Sequence, residues 1–181
     1  MKEYAKRKST RLKNCNYSQN GAYFLTICTK DRKMLLGSVG AGVPDGPQIC
    51  LTEYGEVVEN VIHSINDTYA HFSIEKYVVM PNHVHMIVSI DRSANGPSGT
   101  PAPTSANVPA LVSVFKRFVN RKIGQNIWQR SYYDHVIRGR QDYLEIWKYI
   151  DENPLRWSDD EYAKTDGCQP SVSRRRQSST P

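Results

Sequence analysis

Residues 72–90 read FSIEKYVVMPNHVHMIVSI, and this stretch decides the fold. Its second half alternates with a period of two, so Val84, Met86, Val88 and Ile90 fall on one side of a strand while His83 and His85 fall on the other. Pro81-Asn82 suits a tight turn, which makes Phe72–Met80 and His83–Ile90 the two arms of a hairpin. The apolar side claims a core. The two imidazoles are left on the face that the core does not use.

Upstream of the hairpin, Thr52 is placed to cap a helix carrying Val57, Val58, Val61, Ile62 and Ile65 and running to about Asn66. Before it, Gly40–Pro47 (GAGVPDGP) reads as a loop. A first strand, Tyr23–Cys28, is rich in aromatic and β-branched residues and ends at the charged turn Lys30-Asp31-Arg32-Lys33. Downstream, residues 92–107 (RSANGPSGTPAPTSAN) have no side chains with which to build a core and read as a flexible insertion. A second amphipathic helix follows, with Leu111, Val114, Phe115, Phe118 and Val119 inward and Lys116, Arg117, Asn120 and Arg121 outward. Trp128–Ile137 reads as a strand and Gln141–Asn153 as a last helix stopped by Pro154.

Strand, helix, strand, strand, helix, strand is the order of the α+β ferredoxin-like fold, the split β-α-β antiparallel sheet, here with an additional C-terminal helix. In such a fold the helices pack on one face, and the opposite face is expected to be available for a ligand, as in many single-strand nucleic-acid binders. The domain is expected over 17–157, with a basic arm at 1–16, the insertion at 92–107 and a polar tail at 158–181.

The formal net charge is +6, which favours a polyanionic partner. The cations are clustered. Lys6, Arg7, Lys8, Arg11 and Lys13, together with Lys116, Arg117, Arg121 and Lys122, are candidate phosphate contacts, and Arg174, Arg175 and Arg176 form a third group. Cys15, Cys28, Cys50 and Cys168 make no CxxC pair, and the chain opens with charged residues, so a reducing cytoplasm is expected. No apolar run approaches the roughly 20 residues that span a bilayer, and membrane insertion is not expected. There is no GxxxxGK[ST] loop, hence no expectation of a nucleotide cofactor.

Two local features can carry chemistry. His83 and His85, separated by one residue on a strand, can grip a metal ion together, although the same pattern also occurs in purely structural histidines. Tyr149 and Asn153 stand four apart on the last helix, along the border of a stripe made by Tyr143, Ile146, Trp147 and Ile150 and near Asp142. Either pair alone has a bland explanation: Tyr149 edges the core, and Asn153 ends the helix before Pro154.

The ordered series MPNHVHMIV (80–88), WQRSYYDHVIR (128–138) and YIDENPLRW (149–157) resembles the REP-associated tyrosine transposases, within the IS200-like, single-tyrosine HUH group. The resemblance spans roughly Tyr17 to Trp157. It implies that Tyr149 is the nucleophile and that His83, His85 and Asn153 hold a divalent metal, Mg²⁺ or Mn²⁺. Better-studied insertion-sequence relatives carry glutamine where this chain has the shorter Asn153. The implied activity is cutting and rejoining of single-stranded DNA through a 5′-phosphotyrosine. The implied partner is single-stranded or hairpin DNA made of palindromic repeats, met by a monomer or homodimer at the nucleoid.

A rival of another class is a non-catalytic ferredoxin-like nucleic-acid-binding module, for which basic charge and aromatic strands suffice. The RNA-recognition signature K/R-G-F/Y-G/A-F-V-x-F/Y is missing, as is the histidine and cysteine signature of a zinc deaminase. Tyr132, Tyr133 and Trp128 are candidates for stacking on bases, with core packing the ordinary alternative.

Overall fold

The structure, a computed structural model, describes residues 20–43, 46–91 and 107–159. The basic arm, the 92–106 part of the insertion and the tail from 160 onward lie outside the described residues. The elements are β1 (Gly21–Cys28), β2 (Gly37–Val43), β3 (Gly46–Leu51), α1 (Glu53–Thr68), β4 (Phe72–Met80), β5 (His83–Ile90), α2 (Val108–Ile123), β6 (Tyr133–Val136) and α3 (Gly139–Glu152). Short 3-10 turns follow β1 and α3, at Lys30–Arg32 and Pro154–Asp159.

Four strands form one antiparallel sheet in the order β4-β5-β1-β6, the ferredoxin-like order expected. The period of two sorts its side chains. Tyr23, Leu25 and Ile27 of β1 and Val84, Met86, Val88 and Ile90 of β5 join Val58, Val61, Ile62 and Ile65 of α1 and Leu111, Val112, Phe115 and Val119 of α2 in the main core. The opposite face carries Phe24, Ile87 and both histidines. It is not left open, as expected from the fold class: α3 lies on it, with Ile150 buried against Phe24 and Ile87.

The helix starts follow capping chemistry. Thr52 Oγ1 accepts from Gly55 N at 3.3 Å, and Asn107 Oδ1 accepts from Ala110 N at 2.8 Å ahead of a proline in the first turn of α2. Gly124 closes α2 at φ 82°, a left-handed conformation that glycine adopts without strain.

Two expectations about local structure need correction. Residues 40–43 and 46–47 are not plain loop but belong to a β2–β3 hairpin, in which Val39 pairs with Ile49 and Val43 with Gly46. Its glycine and proline content conceals the pairing, and part of that content is required: a Cβ on Gly37 would lie 2.8 Å from the Cys50 carbonyl oxygen. The Trp128–Ile137 strand shrinks to Tyr133–Val136, with Trp128 keeping only an isolated bridge to Thr29. Lys116 supplies the reason, because its Nζ donates to the carbonyls of Gln129, Arg130 and Ser131 at 2.7, 3.4 and 3.1 Å, drawing that segment out of the ladder. Past Pro154 the chain continues as a 3-10 turn, Pro154–Asp159.

Candidate active site

The pairing register lines up the site. Thr26 of β1 stands opposite His85 of β5 on one side and Tyr133 of β6 on the other, so the three side chains share a row on the α3 face. His83 and Cys28 form the next row. Above them, α3 is pinned to β4 by the Lys76–Asp151 ion pair, by Tyr143 Oη donating to Glu75 at 2.6 Å and by Lys76 lying 4.8 Å over the Trp147 ring. At its start, Asp142 accepts from Arg138 N at 2.8 Å and meets His135 Nε2 at 3.0 Å. These anchors set the rotation of the helix, and with it the aim of Tyr149.

Both imidazoles are buried, His83 at 0% and His85 at 1% exposure. Their Nε2 atoms face each other at 3.0 Å, and Tyr149 Oη lies 3.3 Å from His85 Nε2. One chain therefore brings the phenol and the imidazole pair together. The Tyr149 and His85 rings meet at 5.2 Å between centroids, and Phe24 touches both, stacking on His85 at 5.2 Å and meeting Tyr149 edge-on at 5.9 Å.

The far nitrogens are tied down. Asn82 Nδ2 donates to Arg32 O at 3.2 Å, which turns Asn82 Oδ1 toward His83 Nδ1 at 2.8 Å. That nitrogen must carry the proton, leaving Nε2 with its lone pair. Thr26 Oγ1 lies 2.9 Å from His85 Nδ1, where the hydroxyl donates to or accepts from that nitrogen according to the His85 tautomer. Burial, with the nearby Arg32 guanidinium adding to it, brings the His83 pKa down to about 3. Burial, then the neighbouring His83, holds His85 well below the ordinary imidazole value. Both are neutral at physiological pH, the state in which imidazole binds a metal.

The spacing fits such a role. Two nitrogens on adjacent corners of an octahedral ion, each at about 2.1 Å, lie about 3.0 Å apart. Among the described residues no group of three or more His, Cys, Asp or Glu side chains gathers around an ion-sized gap, so the donor set here has two imidazoles as its only ionisable members. Asn153 is buried at 2% exposure, one turn beyond Tyr149. It ends α3 through its backbone: Asn153 N donates to Ile150 O at 3.4 Å, and its carbonyl accepts from Arg156 N at 3.2 Å.

The other sequence candidates are distributed unevenly. Arg117, Arg121 and Lys122 are exposed on α2, which packs on the sheet face opposite the histidines. Lys116, expected to face outward, spends its ammonium on three carbonyls, and burial brings its pKa down to about 8. Lys6, Arg7, Lys8, Arg11 and Lys13 lie outside the described residues. Trp128 is buried in the main core, Tyr132 packs at its margin, and Tyr133 stands out from the sheet edge on the site face at 55% exposure.

Four residues at the site were not singled out from the sequence: Asn82, Thr26, Arg32 and Trp157, whose ring lies 6.1 Å from that of His83. Thr26 had a readable signal, since alternation from Tyr23, Leu25 and Ile27 puts it on the histidine face. The Asn82 and Arg32 contacts depend on how two turns meet, which no local pattern encodes.

A family model described as "Transposase IS200 like" matches residues 47–153, more than half of the chain. The chain belongs to the IS200-like transposase family. Among proteins similar to this family member, an uncharacterized protein of Haemophilus influenzae is 33% identical over 170 residues, covering 86% of this chain and 92% of that protein. A REP-associated tyrosine transposase of Escherichia coli is 26% identical over 140 residues, covering 77% and 70% respectively. In solved structures the fold resembles a REP-associated tyrosine transposase bound to a REP hairpin, with a TM-score of 0.55 at 23% identity over 86% of this transposase-family chain and 74% of that one. Among the described residues no helix is long and apolar enough to cross a membrane.

Proposed function

We propose that this chain cuts and rejoins single-stranded DNA beside a hairpin, with Tyr149 as nucleophile and with His83, His85 and Asn153 holding a divalent ion, Mg²⁺ or Mn²⁺. The observation that carries the reading is the 3.3 Å separation of Tyr149 Oη from His85 Nε2, itself 3.0 Å from His83 Nε2. Three polar atoms from two strand positions and one helix converge on a point, and family membership gives that convergence a chemistry.

When bound, a divalent ion would withdraw charge from the phosphate oxygens and hold the phosphodiester in line. The chain's own groups do the rest. Asn82 accepts the Nδ1 proton of His83 and Thr26 can accept that of His85, so with an ion bound both Nε2 lone pairs would be available to it. Phe24 and the pinned α3 hold the phenol beside that position, so that little orientational freedom is lost on reaction. The Tyr149 oxygen gives up its proton and bonds to phosphorus while the bond to the 3′-oxygen breaks, and that oxygen takes up a proton. The products are a 5′-phosphotyrosine and a free 3′-hydroxyl, and attack by another 3′-hydroxyl reverses the step. A hairpin of palindromic repeats is the proposed DNA partner, because a relative of the same fold is bound to a REP hairpin.

The test is to incubate the full chain with labelled hairpin-bearing single-stranded DNA and Mn²⁺ and to seek a protein–DNA adduct that survives denaturation. The wild type is expected to form it, and Tyr149→Phe and His85→Ala are expected not to. Retarded DNA without any adduct would favour a binding module, and an adduct formed by Tyr149→Phe would move the nucleophile elsewhere.

A further inference from the structure

Beside the imidazole pair, toward β6, a cavity of about 260 Å³ opens between β1 and the segment that leads into β6, lined among others by Thr26, Cys28, Arg32 and Tyr133. Thr26 connects it to the site, because the same side chain meets His85 Nδ1 and forms the cavity wall. Pockets for drug-sized ligands run to roughly 300–1,000 Å³, so this one suits a single flat group.

Its two ends differ in chemistry. At the open end, Tyr133 belongs to the same aromatic cluster as the site, with its ring edge-on to Phe24 at 6.4 Å, yet it is 55% exposed on an edge strand of four residues. A half-exposed ring costs free energy in water and offers a face to a base. Arg32 forms another part of the wall. Arg32 and Asp31 both occupy the left-handed region, at φ 52° and 56°. For non-glycine residues such a conformation costs of order 1–3 kcal/mol and persists where the surroundings enforce it, typically at ligand clamps. Here the enforcing contacts are Arg32 N donating to Thr29 O at 3.2 Å and Asn82 Nδ2 donating to Arg32 O at 3.2 Å. Asn82 is also the residue that orients His83, so the Arg32 backbone and the imidazole are held by one side chain.

We propose that this cavity is the subsite for the unpaired nucleotide bordering the scissile phosphate, with Tyr133 stacking on its base and Arg32 meeting its phosphate. The inference rests on the strand-cutting function proposed above and adds where the flanking nucleotide lies. Of the two tyrosines that line the cavity, Tyr133 is the exposed one, whereas Tyr132 also packs against the core.

The test uses the full chain and hairpin-bearing single-stranded DNA carrying, in turn, an abasic residue at each single-stranded position next to the hairpin. Binding is read by fluorescence anisotropy and adduct formation by denaturing gel, for wild type, Tyr133→Ala, Tyr133→Phe and Arg32→Gln. Tyr133→Ala is expected to weaken binding at least about fivefold, the lower end of one base–aromatic stack, with Tyr133→Phe close to wild type. One abasic position should weaken binding to the wild type and have no further effect on Tyr133→Ala. Arg32→Gln should lower the salt slope of binding by about one counterion while thermal stability is retained. The subsite is overturned if Tyr133→Ala binds every abasic probe in the same proportion as the wild type. A stacking partner for Tyr133 found in a protein that forms no adduct at all would support the subsite while removing the nucleophile reading.

Discussion

Replacing Thr26 by valine isolates the hydroxyl that orients His85. The two side chains have nearly the same shape and valine suits a strand, so a position at 1% exposure loses no packing. Only the 2.9 Å contact with His85 Nδ1 disappears. His85 then has two choices. It can keep its proton on Nδ1 with no acceptor, at a cost of about 1–3 kcal/mol for a buried donor. Otherwise it moves the proton to Nε2, where His83 Nε2 at 3.0 Å accepts it. The second choice is cheaper for the metal-free protein and removes the lone pair that an ion needs. Reversing it on metal binding costs the same 1–3 kcal/mol, a loss of roughly 5- to 150-fold in affinity, in line with the 10- to 100-fold effects of removing a partner that orients a metal-bound histidine. The expected result is therefore a split: Mn²⁺ affinity of Thr26→Val, measured by calorimetric titration, drops by one to two orders of magnitude, while the metal-free melting temperature stays close to wild type. Thr26→Ser should bind nearly as the wild type does. If Thr26→Val binds Mn²⁺ within about twofold of wild type, the hydroxyl does not set the tautomer and the argument fails.

Three further perturbations follow from the geometry. Gly55→Ala places a Cβ 2.0 Å from the Leu36 carbonyl oxygen, so α1 cannot seat its first turn, and chemical denaturation should show a loss of at least about 1–3 kcal/mol. Lys116→Met removes the donor to three carbonyls of the 129–131 segment, so the melting temperature should fall while the salt slope of DNA binding is unchanged; a lower slope would make Lys116 a phosphate contact after all. Metal-free stability should fall with acid, because unfolded imidazoles take up protons near pH 6.5 whereas folded His83 does so only near pH 3. The sign is that the unfolded state binds more protons inside this window, by up to one each for His83 and His85, so each can lower the folding constant as much as tenfold per pH unit. Above about pH 7 this contribution levels off, and urea titrations giving the same stability at pH 7 and pH 5 would contradict it.

How much of this was legible beforehand depends on how local the determining physics is. The β4–β5 hairpin and the Thr52 cap appear at their expected positions because alternation, turn chemistry and capping act within a few residues. The β2–β3 hairpin was hidden because the glycines and prolines of 40–47 read as turn signals, and the room that Gly37 leaves beside Cys50, thirteen positions away, is a constraint that no local propensity shows. The fate of residues 129–132 was hidden for a similar reason, since Lys116 on another element determines where those carbonyls point. Within the site, the candidates His83, His85 and Tyr149 could be named from their motif, while the neighbours that contact the two histidines, Asn82 and Thr26, become visible only when β1, β5 and the Lys30–Arg32 turn are brought side by side.

That division bears on whether the histidine pair has a purely structural explanation. A buried structural pair needs only that each polar atom find a partner, and one N–H shared between the two rings would meet that need. The surroundings do something more specific. Asn82 is held by Arg32 O in the orientation that forces the His83 proton onto Nδ1, and Thr26 offers His85 Nδ1 a hydroxyl that can donate or accept on the same outer side. Both rings thus have their outer nitrogens claimed by the fold and their inner nitrogens turned to a common point, which Tyr149 also addresses from α3. Burial excludes a second proton until the pH is far below neutral. The position between the rings therefore holds one shared N–H, with Thr26 donating to His85 Nδ1, or, under the function proposed above, a divalent ion, with Thr26 then accepting from His85 Nδ1.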